Sequence, residues 1–232
     1  MRTFKICAAA AILVALTGTG QAALVSYAGN QAGFLSATGA VSIGALPGAG
    51  LTGTVVGSVT FTDGGGSSIF FGAYSNEISG NDIAISGAEN FNMAIAGGAY
   101  SIGFNLHEPS YEQPVPSGCN VATCIDSTFS IELFAGAASL GIISYNAPDD
   151  PDDNIGGPLG FFGVQSSVLF DRVEVRETIG TNDNEHFGNV LIGRTPINAT
   201  PEPGSLALVG LGLLGLVYRR RARDASQENP PK

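Results

Sequence analysis

Tryptophan is absent from these 232 residues, lysine occurs only at Lys5 and Lys232, and there are three cysteines and two histidines. Each shortage excludes something. With no lysine and few arginines in its interior, the chain lacks the basic surface that nucleic acid phosphates or anionic lipid require, so nucleic acid is rejected as a partner. Histidine is too scarce for a motif-borne zinc hydrolase, and neither His-Glu-x-x-His nor Gly-x-Ser-x-Gly occurs. Without tryptophan, any stacking on a sugar ring falls to tyrosines such as Tyr74, Tyr100, Tyr111 and Tyr145. Long helix-period patterns are missing between Leu24 and Thr200, and no fixed-period repeat points to a solenoid.

What is present begins with the two ends. Arg2 and Lys5 precede an apolar run from Ile6 to Leu16, and small residues follow to Ala22. A basic start, a short apolar core and a small-x-small site read as a secretory signal peptide over residues 1–22. At the other end Pro201, Glu202 and Pro203 stand before an uncharged run, Leu206 to Tyr218, which Arg219, Arg220 and Arg221 follow at once. That order reads as a membrane segment whose basic end stays in the cytoplasm. The run reaches roughly two thirds of the about 20 apolar residues that a spanning helix needs. Gly210, Gly212 and Gly215 weaken it further. A short, glycine-rich anchor suits a segment that is read and then removed; a permanent anchor is the alternative.

Pro201-Glu202-Pro203, the glycine-rich apolar helix and the arginine cluster, spanning residues 200–224, resemble the PEP-CTERM sorting signal of Gram-negative bacteria. The resemblance implies processing near Pro-Glu-Pro by an exosortase, a membrane cysteine transpeptidase. It also implies transient anchoring in the inner membrane before delivery to the cell surface or the medium. Thr200 stands where the family often has Val, and a polar tail, residues 225–232, outlasts the usual arginine ending.

Residues 23–199 remain as one domain of ordinary size. Between Ala23 and Pro203 three arginines, Arg172, Arg176 and Arg194, stand against eighteen acidic residues, a formal charge of −15. Such a surface keeps the chain soluble and attracts divalent cations or cationic polymers. Cys7 leaves with the signal peptide, so Cys119 and Cys124 remain, and in an exported protein they are expected to close a disulfide loop.

Period-two alternation recurs through the domain. Val55, Gly57, Val59 and Phe61 are expected to share a face, as are Phe91, Met93 and Ile95, then Tyr100, Ile102, Phe104 and Leu106. Phe129, Ile131 and Leu133 form another row, Val168 and Phe170 lead into Val173 and Val175, and Phe187 to Ile192 closes the domain. Turn clusters are read at Asp63–Ser67, Ser79–Asp82 and Ala96–Ala99. Short alternating strands, each with one polar face, predict an all-β, single antiparallel β-sandwich or jelly-roll domain. The stretches Gly156–Val164, Phe170–Val173 and Phe187–Val190 also resemble the closing strands of many exported PEP-CTERM proteins, with Gly188 where that family usually has Asp.

The sharpest acidic stretch is Pro148–Asn154, in which Asp150, Asp152 and Asn154 have the alternate spacing of a calcium loop. Gly156 arrives one place late for an EF-hand and Phe161 holds the position of its closing glutamate, so a solvated loop competes with a Ca²⁺ site. Asp183, Asn184 and Glu185 before His186 form a second polar turn, and both histidines, His107 and His186, are read in turn-like polar surroundings. The stretch from His107 to Cys124 is the longest without alternation and reads as a stiffened loop. The sequence favours a non-enzymatic exported surface or extracellular-matrix protein associated with exopolysaccharide or biofilm. A Ca²⁺-assisted carbohydrate-binding module or adhesin, whose glycan affinity would fail in chelator, is the alternative, and a glycoside hydrolase stands third.

Overall fold

The computed structural model describes residues 22–109, 127–147, 149–150, 159–180 and 185–197. In chain order the elements are β1 (Leu24–Ser26), α1 (Gln31–Thr38), β2 (Val41–Ser42), β3 (Val55–Val56), β4 (Val59–Asp63), β5 (Ser67–Gly72), β6 (Asp82–Gly87), β7 (Phe91–Pro109), β8 (Thr128–Ala135), β9 (Ala138–Asn146), β10 (Asp149–Asp150), β11 (Gly160–Ile179) and β12 (His186–Gly193). Hydrogen bonds join them into one sheet with the central order β5-β6-β12-β7-β11-β8-β9. Every pairing is antiparallel except that of β10 with the end of β7.

β7 and β11 run for 19 and 20 residues because each serves both halves of this sheet. The first half of β7 pairs with β4, and its second half pairs with β12. β11 follows β7 along most of its length and pairs with β8 over its second half. Both strands bend midway, β7 at Gly97–Gly98 and β11 between Gln165 and Phe170, where its register shifts. Gly97 and Gly98 hold φ of 75° and 68°, a region that glycine enters without steric cost. The carbonyls turned out there are satisfied by Arg194, which donates to Gly97 O at 2.8 Å, to Ala96 O at 3.3 Å and to Gly98 O.

The bend lays one half of the sheet on the other. Ring contacts cross the gap between elements that share no hydrogen-bonded ladder. Phe61 of β4 meets Phe71 of β5 at 5.6 Å, Phe129 of β8 meets Phe187 of β12 at 5.5 Å, and Tyr145 of β9 meets Phe162 of β11 at 5.6 Å. Phe187 is the hub, since Phe91 and Phe104 also pack on it, at 4.8 and 5.8 Å. Burying such rings is the main favourable term in holding the two halves together.

A second, smaller core lies on the outer face of β7 and β11, where α1 packs. The Asn30 carbonyl oxygen of the side chain accepts the Gly33 N–H at 2.9 Å and so caps the start of α1. Gly39, at φ 59°, ends it with its N–H on Leu35 O. Phe34 of α1 is fully buried against Tyr27 and Phe161. It fits because Gly103 and Gly163 lie directly opposite each other in the β7–β11 ladder. A Cβ on either would come within 2.9 Å of the Phe34 ring.

Several local expectations change. The row from Val55 to Phe61 is broken, because β3 and β4 form a hairpin that turns at Gly57–Ser58; Val56 is buried, while Val55 is 63% exposed. Ala96–Ala99 is a bend inside β7 and not a turn between strands. The second half of β7 has no exposed face: Ser101 to Glu108 are all buried, although Ser101, Asn105 and His107 on its outer side are polar. Val168 lies at the β11 bend and is partly exposed, whereas Phe170, Val173 and Val175 are buried as expected.

Candidate functional site

Four rows that point into the core end, at the same end of the molecule, in oxygen-bearing side chains. On β7 the buried series Ile102, Phe104, Leu106 continues to Glu108. On β11 Val173 and Val175 continue to Glu177, ahead of β8 the series Phe129, Ile131, Leu133 starts from Ser127, and ahead of β12 Phe187 is preceded by Glu185. Glu89 joins from the turn before β7, with a left-handed φ of 50° that is rare outside glycine. Glu89, Glu108, Ser127 and Glu185 are fully buried, and Glu177 is half-buried at the rim.

The group converges on one hydroxyl. Ser127 Oγ lies 2.9 Å from Glu185 Oε1, 3.2 Å from Glu108 Oε1 and 3.2 Å from Glu177 Oε1. A serine hydroxyl carries a single proton, so it donates to one carboxylate at a time. Burial pushes the Glu185 carboxyl above its ordinary range, opposed by hydrogen-bond contacts with Glu89, Ser127 and Glu108. The three interior arginines are engaged elsewhere. Arg172 pairs with Glu174 and lies 3.9 Å over the Phe134 ring, Arg176 holds Glu174, Asn92 and Phe91 O, and Arg194 holds the β7 bend. Among the described residues no three His, Cys, Asp or Glu side chains already surround a point as metal ligands; the carboxylates stand around the Ser127 hydroxyl instead.

The outer face carries a separate polar array. His107 and His186 are opposite each other in the β7–β12 ladder, both buried, with rings stacked at 5.8 Å, so neither lies in a turn. Ser75 Oγ accepts the Glu77 and Ile78 N–H groups at 3.1 Å, which leaves its proton for His107 Nδ1 at 2.9 Å. His107 is therefore an acceptor at Nδ1 and carries its proton on Nε2. The hydroxyl is a loop anchor, not a nucleophile. Asp82 Oδ2 accepts the Tyr74 and Ser75 N–H groups at 2.9 and 2.7 Å, and Asp82 Oδ1 lies 3.5 Å from His186 Nδ1. The Tyr74 ring, 52% exposed, stacks on His186 at 6.5 Å. Across the same face Asn105 accepts from Asn189 at 3.0 Å and donates to Gly160 O at 3.2 Å, at the wall of a groove of about 520 Å³ that Gln31, Asn146, Leu159 and Phe161 also line. At its edge burial pushes the Tyr145 phenol up to about 12, although a hydrogen bond from the Phe161 backbone opposes the shift.

Of the residues singled out from sequence, the structure places few. Asp149–Asp150 is not loop but a short strand lying parallel to Glu108–Pro109, so the acidic stretch begins beside the buried carboxylates. Asp152, Asn154, Cys119, Cys124, Pro201, Glu202, Pro203, Arg219, Arg220 and Arg221 lie outside the described residues, as do Asp183 and Asn184. Glu185 is no part of an exposed polar turn, being fully buried. At Gly188 a Cβ would stand 2.5 Å from Ile78 Cγ2, which explains why no aspartate is accommodated there. Sequence reasoning missed Glu89, Glu108, Ser127 and Glu177. The signal for Glu108 and Glu177 was their parity with the apolar rows they extend.

The PEP-CTERM protein-sorting motif matches residues 199–221, and such a motif implies a secreted protein that is anchored transiently in the membrane before processing. No curated protein matches the sequence. Similar solved structures include a family 29 carbohydrate binding module complexed with mannohexaose, 13% identical, covering 78% of this chain and 99% of that one at a TM-score of 0.32. Another is the enzymatically active domain of bacteriophage CBA120 tailspike protein 4, 13% identical, covering 75% of this chain and 19% of that one at a TM-score of 0.31. Likeness at that level carries no argument about this chain.

Proposed function

We propose that the chain is a non-enzymatic surface or extracellular-matrix protein. A β-sandwich domain, residues 23–199, is exported behind a cleaved signal peptide and sorted by exosortase-type processing at Pro201-Glu202-Pro203. Arg219, Arg220 and Arg221 hold the apolar segment at the inner membrane until processing, and the released domain associates with exopolysaccharide. Cys119 and Cys124 form a disulfide in the oxidising compartment. The observation that carries this reading is the sorting motif at residues 199–221. Among the described residues the serine–histidine contact, Ser75 with His107, is committed to anchoring a loop. Intact mass of the protein recovered from the cell surface or medium tests the reading. The expected mass fits residues 23 to about 203, with any attached glycan or lipid; a mass that retains the arginine tail overturns it.

A second reading, a Ca²⁺-assisted carbohydrate-binding module or adhesin, is favoured by the outer face. Tyr74 offers a half-exposed ring fixed by the Asp82 contacts to its backbone, and the Asn105 groove adds amide side chains of the kind that hydrogen-bond sugar hydroxyls.

A further inference from the structure

We propose that the oxygen-lined end of the core is a binding site for one divalent cation, with Glu108, Glu177, Glu185 and Ser127 as ligands and Glu89 beside them, and that Ca²⁺ is the ion it takes. The proposal stands apart from the sorting reading. Three carboxylate oxygens lie within 3.2 Å of a single hydroxyl oxygen that has one proton to give. Glu185 is fully buried; Ser127 meets its Oε1, and its Oε2 meets no N–H or hydroxyl donor among the described residues, its neighbours Glu89 and Glu108 being carboxyls themselves. A buried carboxylate oxygen left in that state is costly unless a positive charge compensates it. Between Ala23 and Pro203 the chain has no lysine, and among the described residues all three arginines are bonded elsewhere.

The chemistry of the donor set selects the ion. Among the described residues the site is faced by carboxylate and hydroxyl oxygens, because His107 and His186 belong to the outer face of β7 and β12. Hard oxygen ligands of this kind suit Ca²⁺, which tolerates irregular geometry and takes several carboxylates. Capture requires the carboxylates to turn from the hydroxyl onto the ion, closing to about 2.3–2.6 Å. The terminal torsion of glutamate is broad and permits that rotation at little cost. Glu177, half-buried at the rim, marks the side from which an ion enters. Once bound, the ion ties the ends of β8 and β11 in one half of the sheet to those of β7 and β12 in the other.

The test uses the protein as the cell exports it, stripped with EDTA and then titrated with CaCl₂, reading bound calcium by equilibrium dialysis and Tm by calorimetry. One ion per chain is expected, with Tm raised by roughly 5–10 °C in millimolar calcium. Glu185→Gln is expected to lose that rise, and Asp150→Asn to keep it. Absence of bound calcium in the wild type at millimolar CaCl₂ overturns the proposal, and this arm decides even where the glutamine variant fails to fold. Loss of binding in Asp150→Asn with retention in Glu185→Gln also overturns it, by placing the ion in the acidic loop.

Discussion

Tyr145 shows how one residue can be half core and half wall. Its ring packs on Phe162 between the two halves of the sheet, while its phenol is met by the Phe161 backbone at the edge of the groove. Burial raises its pKa from 10.0 to about 12, so the protonated phenol is the form the fold accommodates. The stability this group contributes is therefore complete below pH 10, the unfolded value, and is lost as pH rises through about 12. Two pKa units correspond to about 2.7 kcal/mol, an order-of-magnitude figure. A tyrosinate absorbance titration should show a late step near pH 12. Tyr145→Phe should abolish that late step and flatten the alkaline loss of stability; a late step that survives the substitution would assign it to another tyrosine.

At the scale of elements, α1 and the β7 bend are both made by sequence-local devices that serve a distant contact. Asn30 and Gly39 delimit a helix of eight residues, too short to be stable by itself. It persists because Phe34 is locked over the Gly103–Gly163 pair and against Phe161. Phe34→Ala should cost about 3–5 kcal/mol, read from chemical denaturation, and should raise amide exchange in α1 before it does so in β8. An unchanged denaturation midpoint would mean that the outer core contributes nothing to the fold. The β7 bend depends on Arg194 in the same way, since the side chain gathers three carbonyls that the two glycines turn out of the ladder.

For the whole molecule, charge and destination belong together. Residues 23–203, with three arginines and no lysine, carry a formal charge of −15, and the other seven basic residues lie in the two end segments. Among the described residues no helix is long and apolar enough to cross a membrane, and the run from Leu206 to Tyr218 lies outside them. Truncation before Pro201 should leave export intact and abolish surface delivery, measured by fractionation of periplasm, surface and medium. A truncated chain that still reaches and stays on the surface would remove the role assigned to Pro201, Glu202 and Pro203.

The sorting motif and the all-β character of the domain were legible in the linear sequence. Sorting signals are read as linear order, so Pro-Glu-Pro, an apolar run and arginines carry their meaning without tertiary structure, and period-two alternation carries it for rows such as Phe91, Met93, Ile95 and Phe129, Ile131, Leu133. Asn30 and Gly39 could have announced α1, but the helix between them carries no clear apolar stripe of its own. Only the tertiary structure decided that Ala96–Ala99 bends a strand and does not end it, because that depends on Arg194, nearly a hundred residues away, reaching its carbonyls. It alone decided the candidate site as well. Glu89, Glu108, Ser127, Glu177 and Glu185 are scattered along the chain and share no spacing; they meet because four core-facing rows run out at the same end of a sheet folded on itself.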